Sequence, residues 1–299
     1  MSNIHYQDCP VCGSRAIHRI FSVKDQTVSK QSFVIVECDS CTLRFTQDVP
    51  DQNSIAAYYK SENYISHTDT SKGLINQLYK LVRKKTLTGK RKLVEKITGV
   101  TKGDLLDMGS GTGSFAHAMR LHGWNVTGLE PDEDARRVAF QHYGIELFPM
   151  DRFHQLDAGS YDAITLWHVL EHVHELQTSI QQLKKLLKDS GRLLIAVPNY
   201  TSLDSEIYQD SWAAYDVPRH LYHFSPRAME KLMGINGLLI EQYLPMWYDS
   251  FYISMLSSQY KTGKSRLLSS FWNGLRSNIK AWSNSAKCSS IIYVVKKMQ

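Results

Sequence analysis

Short apolar runs and stretches of helical period alternate through the middle of the chain. Leu105, Leu106 and Met108 make a run of strand length that carries Asp107 near its end. A glycine-rich turn, G-S-G-T-G at 109–113, follows, and Ser114–His122 then takes the spacing of a helix. Asn125–Leu129 is a second strand-like run and leads straight into Glu130, 21 residues after Gly109. Ile145–Pro149 and Leu238–Leu244 are expected to be further strands. Gly89–Thr98 is expected to be a helix entering the first of these strands. Ser225-Pro226 marks another helix start, with Ser as the cap and Pro at the first helical position. Later, Leu268, Phe271, Trp272, Leu275, Ile279 and Trp282 recur at helical spacing within a long segment, 249–288.

Strand, tight turn, helix, then a strand ending in a carboxylate is how an open α/β sheet holds an adenosine-containing ligand at its carboxyl edge. Two ligands compete. A dinucleotide fingerprint needs a third small residue that lets helix and strand pack closely, and Ser114 stands there. Asp107 would repel a pyrophosphate but suits a cation. S-adenosylmethionine carries an ammonium and a sulfonium, so the pattern favours it as the cofactor. Glu130 can accept hydrogen bonds from both ribose hydroxyls of either ligand. The donor-binding residues expected from this stretch are Asp107, Gly109, Ser110, Gly111, Gly113, Glu130 and Pro131.

These motifs and two later ones resemble the class I S-adenosylmethionine-dependent methyltransferases. Tyr161–Val173 (Y-D-A-I-T-L-W-H-V-L-E-H-V) is similar to that family's fourth strand and the helix after it. Gly191–Asn199 is similar to its fifth strand, and the likeness covers about residues 101–245. It implies an α/β, Rossmann-like, seven-stranded methyltransferase sheet whose last strand, Ser289–Lys297, is antiparallel. Trp167 and His168 would then line the donor pocket. Asp151, near the end of the third strand, would accept the adenine amino group, with Asp157 as a second candidate.

Ahead of the sheet, Cys9-Pro10-Val11-Cys12 and Cys38-Asp39-Ser40-Cys41 form two C-x-x-C knuckles. Two knuckles supply a tetrahedral thiolate set for structural Zn²⁺, and strand-like Ala16–Phe21 and Ser32–Glu37 lie between them. That is the pattern of a zinc ribbon. Disulfides or a redox pair are the alternatives, and a cytoplasmic setting disfavours disulfides. The expected organisation is a zinc ribbon over 1–48, a helical linker or lid over 49–100, and a methyltransferase domain over 101–299 with helices inserted at about 249–288.

The acceptor side is sought in Trp212–Pro226, which gathers Trp, Tyr, Arg and two His after the fifth strand. Its H-L-Y-H-F-S portion resembles the E-H-L-x-x-F-S element of sugar C-methyltransferases, whose histidine serves as base. The resemblance gives that role to His220, with His223 beside it. Arg219 stands where that family has Glu, and a guanidinium there favours an anionic acceptor such as a nucleotide diphosphate or carboxylate. Tyr64 and His67 match a tyrosine pattern of sugar C-methyltransferases that also begin with a zinc ribbon; a tyrosine-anchored helix is the other reading. His168, Glu171 and His172 share one helix face. Quinone-type O-methyltransferases carry a related E-x-x-E-H set able to bind a divalent cation, with Glu in place of His168. Bracing of the helix is the plainer role for Glu171 and His172.

Composition narrows the partners. The net charge is +6, and basic residues bunch between Lys80 and Lys96, a pattern read as a solvated helix face rather than a nucleic-acid surface. No apolar run approaches the ~20 residues of a membrane span, and the first residues lack a signal-peptide core, so a cytoplasmic protein is expected. Cys288 is expected to be a buried core thiol. Lys264, Arg266, Arg276 and Lys280 flank the aromatic helix in 249–288, which reads as a lid, a homodimer surface or a membrane-surface helix. The expected function is methyl transfer to a small metabolite such as a nucleotide-linked sugar. An RNA methyltransferase and a non-catalytic binding protein are the alternatives.

Overall fold

The computed structural model describes residues 2–59, 74–264 and 266–298, with side chains omitted for 74–84. Tyr64 and His67 therefore lie outside the described residues. The amino-terminal part holds β1 (Asn3–Ile4), β2 (Ile17–Lys24), β3 (Ser32–Cys38), β4 (Arg44–Thr46) and β5 (Val49–Pro50). A 3-10 turn at Ile55–Tyr59 follows, then α1 (Leu74–Thr98). Next come β6 (Asp104–Met108), α2 (Ser114–Arg120), β7 (Asn125–Leu129), α3 (Glu133–Tyr143), β8 (Tyr161–Trp167), α4 (Leu176–Leu186) and β9 (Leu187–Pro198). The chain closes with α5 (Leu203–Tyr208), β10 (Tyr222–His223), α6 (Pro226–Ile235), β11 (Leu238–Pro245), α7 (Asp249–Thr262), α8 (Leu267–Ser283) and β12 (Ser290–Lys297).

The central sheet has the order β11-β12-β9-β8-β6-β7. Its β7, β6, β8 and β9 run parallel, and β12 enters between β9 and β11 antiparallel to both. Six strands are present among the described residues where seven were expected. The missing one is Ile145–Pro149, which makes only an isolated parallel bridge, Leu129 to Phe148. Phe148 exchanges backbone hydrogen bonds with Gly128 and Glu130, but Pro149 has no N–H to extend the ladder and a 3-10 turn begins at Met150. The helix expected at Gly89–Thr98 is the last part of the longer α1. Ser225 caps α6 by accepting from the Ala228 N–H, with Pro226 in the first turn.

Buried apolar strands explain the sheet's interior. Leu105, Leu106, Ile164, Leu166, Leu193 and Ile195 are fully buried, as strands covered on both faces require. The small amino-terminal sheet has the order β10-β4-β3-β2, so its edge strand comes from far down the chain. Tyr222 pairs with Phe45 and His223 with Arg44. Leu43, Phe45 and Val49 lie in the same apolar cluster as Leu106, Leu166, Val197, Leu221 and Phe224. Thus the core runs across residue 48.

That shared core predicts the effect of removing the amino-terminal part. Each fully buried Leu, Val or Phe contributes roughly 1.5–3 kcal/mol. A chain begun at residue 51 loses Leu43, Phe45 and Val49 from the core and leaves β10 without its partner strand. It should lose cooperative thermal unfolding and near-ultraviolet dichroism; a sharp, native-like melt would show that residues 51–299 fold alone.

Candidate active site

The carboxyl edge of the central sheet gathers the predicted donor residues. Asp107 near the end of β6 is 1% exposed, and Thr165 Oγ1 on neighbouring β8 donates to its Oδ1 at 2.7 Å. Burial pushes the Asp107 carboxyl up to about 6, opposed by the Thr165 hydrogen bond and by the Lys90 charge. The turn that follows needs its glycines. Gly109 has φ 72°, and a Cβ there would stand 2.4 Å from Val169 Cγ2. Gly113 has φ 76°, and a Cβ would meet Ala139 on α3 at 2.8 Å. Ser110 Oγ donates to the Asp107 carbonyl at 2.8 Å and locks the bend.

Glu130 closes the other side of the turn. Its Oε2 accepts from the Gly111 N–H at 2.7 Å and its Oε1 from the Asp132 N–H at 3.0 Å. Burial raises its carboxyl above the usual range despite these bonds. Each oxygen retains a further lone pair. Pro131 leads into α3, whose cap Asp132 accepts from Ala135 N at 3.0 Å. Asp151 sits in the exposed 3-10 turn after the Phe148 bridge.

At the end of β8, Trp167 packs edge-on against Phe115 of α2, with centroids 5.6 Å apart. Lys90 of α1 lies over the Trp167 ring at 4.3 Å. Burial lowers the Lys90 ammonium, opposed by the charges of Asp249 and Asp107. His168 holds φ 59°, a left-handed backbone uncommon for a side-chain-bearing residue. Its Nε2 lies 2.9 Å from Asp249 Oδ2 and its Nδ1 3.4 Å from Glu171 Oε1. Burial alone would lower this imidazole, but the two carboxylates raise it to about 10. His168 is thus an imidazolium between two anions at neutral pH.

The acceptor candidates meet this edge through the turn after β8. Glu171 is fully buried, and neither carboxylate oxygen has a hydrogen-bond partner. His172 Nδ1 lies 2.9 Å from the Arg219 carbonyl and 3.0 Å from the Tyr59 hydroxyl. Burial and the nearby His220 lower its pKa to about 4, so it is neutral. His220 Nδ1 donates to the Ala214 carbonyl at 2.8 Å, and its Nε2 lies 3.8 Å from Asp216 Oδ2. The His172 and His220 rings meet edge to face at 4.6 Å. Ligand-capable atoms of Glu171, His172 and His220 all lie within 4.8 Å of one another, a spacing that could hold a cation. His168 points instead to Asp249, so the three-residue set formed here differs from the helix-face set of the sequence.

Arg219 donates to Asp216 Oδ1 at 2.5 Å and lies over the Tyr59 ring. His223 lies beside His220, with ring centroids 6.5 Å apart; its Nε2 is 3.1 Å from Thr46 Oγ1, and its ring packs on Tyr215 at 4.8 Å. Burial holds His223 well below the usual histidine range, hence neutral. Cys9 and Cys41 sulfurs are 3.5 Å apart, as are those of Cys12 and Cys38. The four cluster within 4.8 Å, and every cysteine is free of disulfides. Cys288 is buried, and burial pushes its thiol up to about 11.

Four residues of this site escaped the sequence reading. Thr165 is one apolar-strand residue among many, and only pairing of β6 with β8 aims it at Asp107. Tyr59 and Asp249 reach their histidines across 113 and 81 residues. Lys90 was hidden in the basic run, and nothing in the run distinguishes it from its solvated neighbours.

Residues 62–243 match a family model described as a methyltransferase domain. The mitochondrial ubiquinone biosynthesis O-methyltransferase of Homo sapiens is 25% identical over 164 residues, 49% of this chain and 44% of that protein. The ubiquinone biosynthesis O-methyltransferase of Glaesserella parasuis is 34% identical over 119 residues, 36% of this chain and 50% of that one. The chain spans about half the length of the curated relatives it matches. The structure of magnesium protoporphyrin IX methyltransferase from Synechocystis, with S-adenosylhomocysteine bound, superposes with a TM-score of 0.50 at 19% identity. That match covers 64% of this chain and 92% of that chain, and it shows a shared fold.

Proposed function

Because the chain belongs to the methyltransferase-domain family, we propose that it moves a methyl group from S-adenosylmethionine to a small acceptor held near His220. The observation that carries the reading is Asp107, a carboxylate buried behind a glycine turn with Glu130 opposite. A buried anion without a bound counter-ion is costly, and a sulfonium ligand with an ammonium supplies the charge. Glu130 would take the ribose hydroxyls on its remaining lone pairs. Lys90 is placed to hold the donor's carboxylate while Asp107 holds its ammonium. Asp151 and Pro131 border the adenine and ribose, and Trp167 with His168 form the wall between donor and acceptor.

For the acceptor, His220 is the base. Its Nε2 lone pair takes the acceptor's proton as the methyl group leaves sulfur in line. Glu171, buried beside His168, adds its charge to stabilise the imidazolium that forms. Arg219 takes an acceptor phosphate or carboxylate by exchanging Asp216, which fits a nucleotide-linked sugar, and Tyr64 belongs to the same proposed set. His223 positions the loop through Thr46. Both relatives are named for ubiquinone biosynthesis, which favours a small molecule over RNA. A divalent ion between Glu171, His172 and His220 is a second reading, favoured by two imidazoles whose Nδ1 atoms face backbone carbonyls. The four cysteines form a structural zinc site: Zn–S bonds of about 2.3 Å set tetrahedral edges near ~3.8 Å, close to the sulfur spacing present.

Four outcomes test this reading. Asp107 binds its proton more tightly folded than unfolded, so stability of the free protein falls as pH rises from about 4 through about 6, while donor affinity rises. Calorimetry should find S-adenosylmethionine about tenfold weaker at pH 5 than at pH 7, and Asp107→Asn should flatten that slope; an unchanged slope in the variant removes Asp107 from the donor seat. His220→Gln should lower turnover by on the order of 10²-fold with donor binding kept. If a chelator abolishes wild-type turnover and Mg²⁺ or Mn²⁺ restores it, the cation reading replaces the base. Metal analysis should find one zinc per chain, lost in Cys9→Ser with Cys12→Ser; wild-type protein without zinc would defeat the ribbon.

A further inference from the structure

The α7–α8 hairpin is built inside out for a water-soluble surface. On α8 the residues turned into the protein are small: Ser270, Gly274, Ser277 and Ala281 are buried. The residues turned to solvent are large: Trp282 is 85% exposed and Leu268 81%, with Leu267, Phe271, Trp272 and Ile279 each more than half exposed. At roughly 100° per residue, these six fall within an arc of about 140°. Facing α7 contributes Ser250, Ser254, Ser257 and Ser258 to the buried side and leaves Tyr252 half exposed. The two backbones touch closely, since a Cβ at Gly274 would lie 3.1 Å from the Phe251 Cα. Ser277 ties α8 down by donating to buried Asp204 at 2.8 Å. The apolar face is therefore held outward by a specific polar seam beneath it.

Charge says what covers this face. From Asp249 to the end of α8 at Ser283 stand five Lys and Arg and no further Asp or Glu. Lys264 and Arg266 are exposed at the α7–α8 turn beside Leu267 and Leu268. Arg276 and Lys280 flank the apolar arc, and the acid met there is Glu206, 3.7 Å from Lys280 in a largely exposed pair. Two copies of the chain meeting on this face would set these cations against one another. A layer of anionic headgroups over acyl chains satisfies both features: Trp, Phe and Leu enter the headgroup boundary while Lys and Arg meet the phosphates. We infer that α8, carried on α7, docks the protein onto the surface of an anionic lipid bilayer. Asp249 opens α7 and also holds His168, so the docked hairpin joins the active-site edge directly. The acceptor pocket is thereby brought to the membrane surface. None of the described helices is long and apolar enough to cross a membrane, so the contact is one of surface insertion.

Sedimentation of the full chain with vesicles tests this. Vesicles of equal parts phosphatidylglycerol and phosphatidylcholine should carry the protein down, with a blue shift of tryptophan emission, and phosphatidylcholine alone should bind at least tenfold less. Trp272→Ser with Trp282→Ser should lose binding at least tenfold while the thermal melt is unchanged, because both side chains are exposed. Arg276→Glu with Lys280→Glu should lose the preference for anionic vesicles and keep the melt. Equal sedimentation with both vesicle types, or full binding by the tryptophan variant, overturns the inference. So does a wild-type dimer that the tryptophan variant splits in the absence of any vesicle binding. Each readout is independent of donor binding.

Discussion

A carboxylate buried at the edge of a parallel sheet is the constraint on which the site depends. Asp107 can be kept there because Thr165 donates to it from the next strand and Lys90 lends it positive charge from the long helix ahead. The glycine turn exists to bring backbone close to that carboxylate: Gly109 is pressed against Val169 and Gly113 against α3. Glu130 then fastens the turn from its other side through Gly111. The strand order that puts β8 beside β6 is thus also what holds this carboxylate in place.

From that edge a line of ionisable side chains leads to the 212–226 loop. His168, strained and protonated, sits between Asp249 and Glu171. Glu171 in turn is grouped with neutral His172 and with His220. The imidazolium of His168 lets the buried Glu171 remain ionised. The supports come from four separate parts of the chain: Tyr59 from the amino-terminal 3-10 turn, β8 and its following turn, the 212–226 loop, and the start of α7. The amino-terminal sheet takes part by pairing β4 with β10, which fixes the loop carrying His220 and places the cysteine cluster on the same core.

The carboxyl-terminal hairpin shows how amphipathic spacing can be legible while its direction is not. Leu268, Phe271, Trp272, Ile279 and Trp282 announce one apolar face by their spacing alone. Such a face ordinarily packs inward. Here the serines of α7 and the Ser270–Gly274–Ser277–Ala281 row of α8 pack on each other more closely than large side chains would permit, and the aromatic face is left outside.

The sequence by itself determined the local events. An apolar run with Asp107, three turn glycines and Glu130 specify a strand, bend and strand because each depends on neighbours within a few residues. The same holds for the Ser225-Pro226 helix start and for the two cysteine knuckles. Only the tertiary structure decided what depends on distant pairing. Pro149 and the following turn reduced an expected strand to a single bridge. One apolar cluster takes residues from both sides of position 48, with Phe45 paired to Tyr222. Lys90, Thr165, Tyr59 and Asp249 became part of the site only when strands and helices far apart in the chain were packed together. Hydrogen bonds and burial at that range are set by the assembled fold, and periodicity carries no record of them.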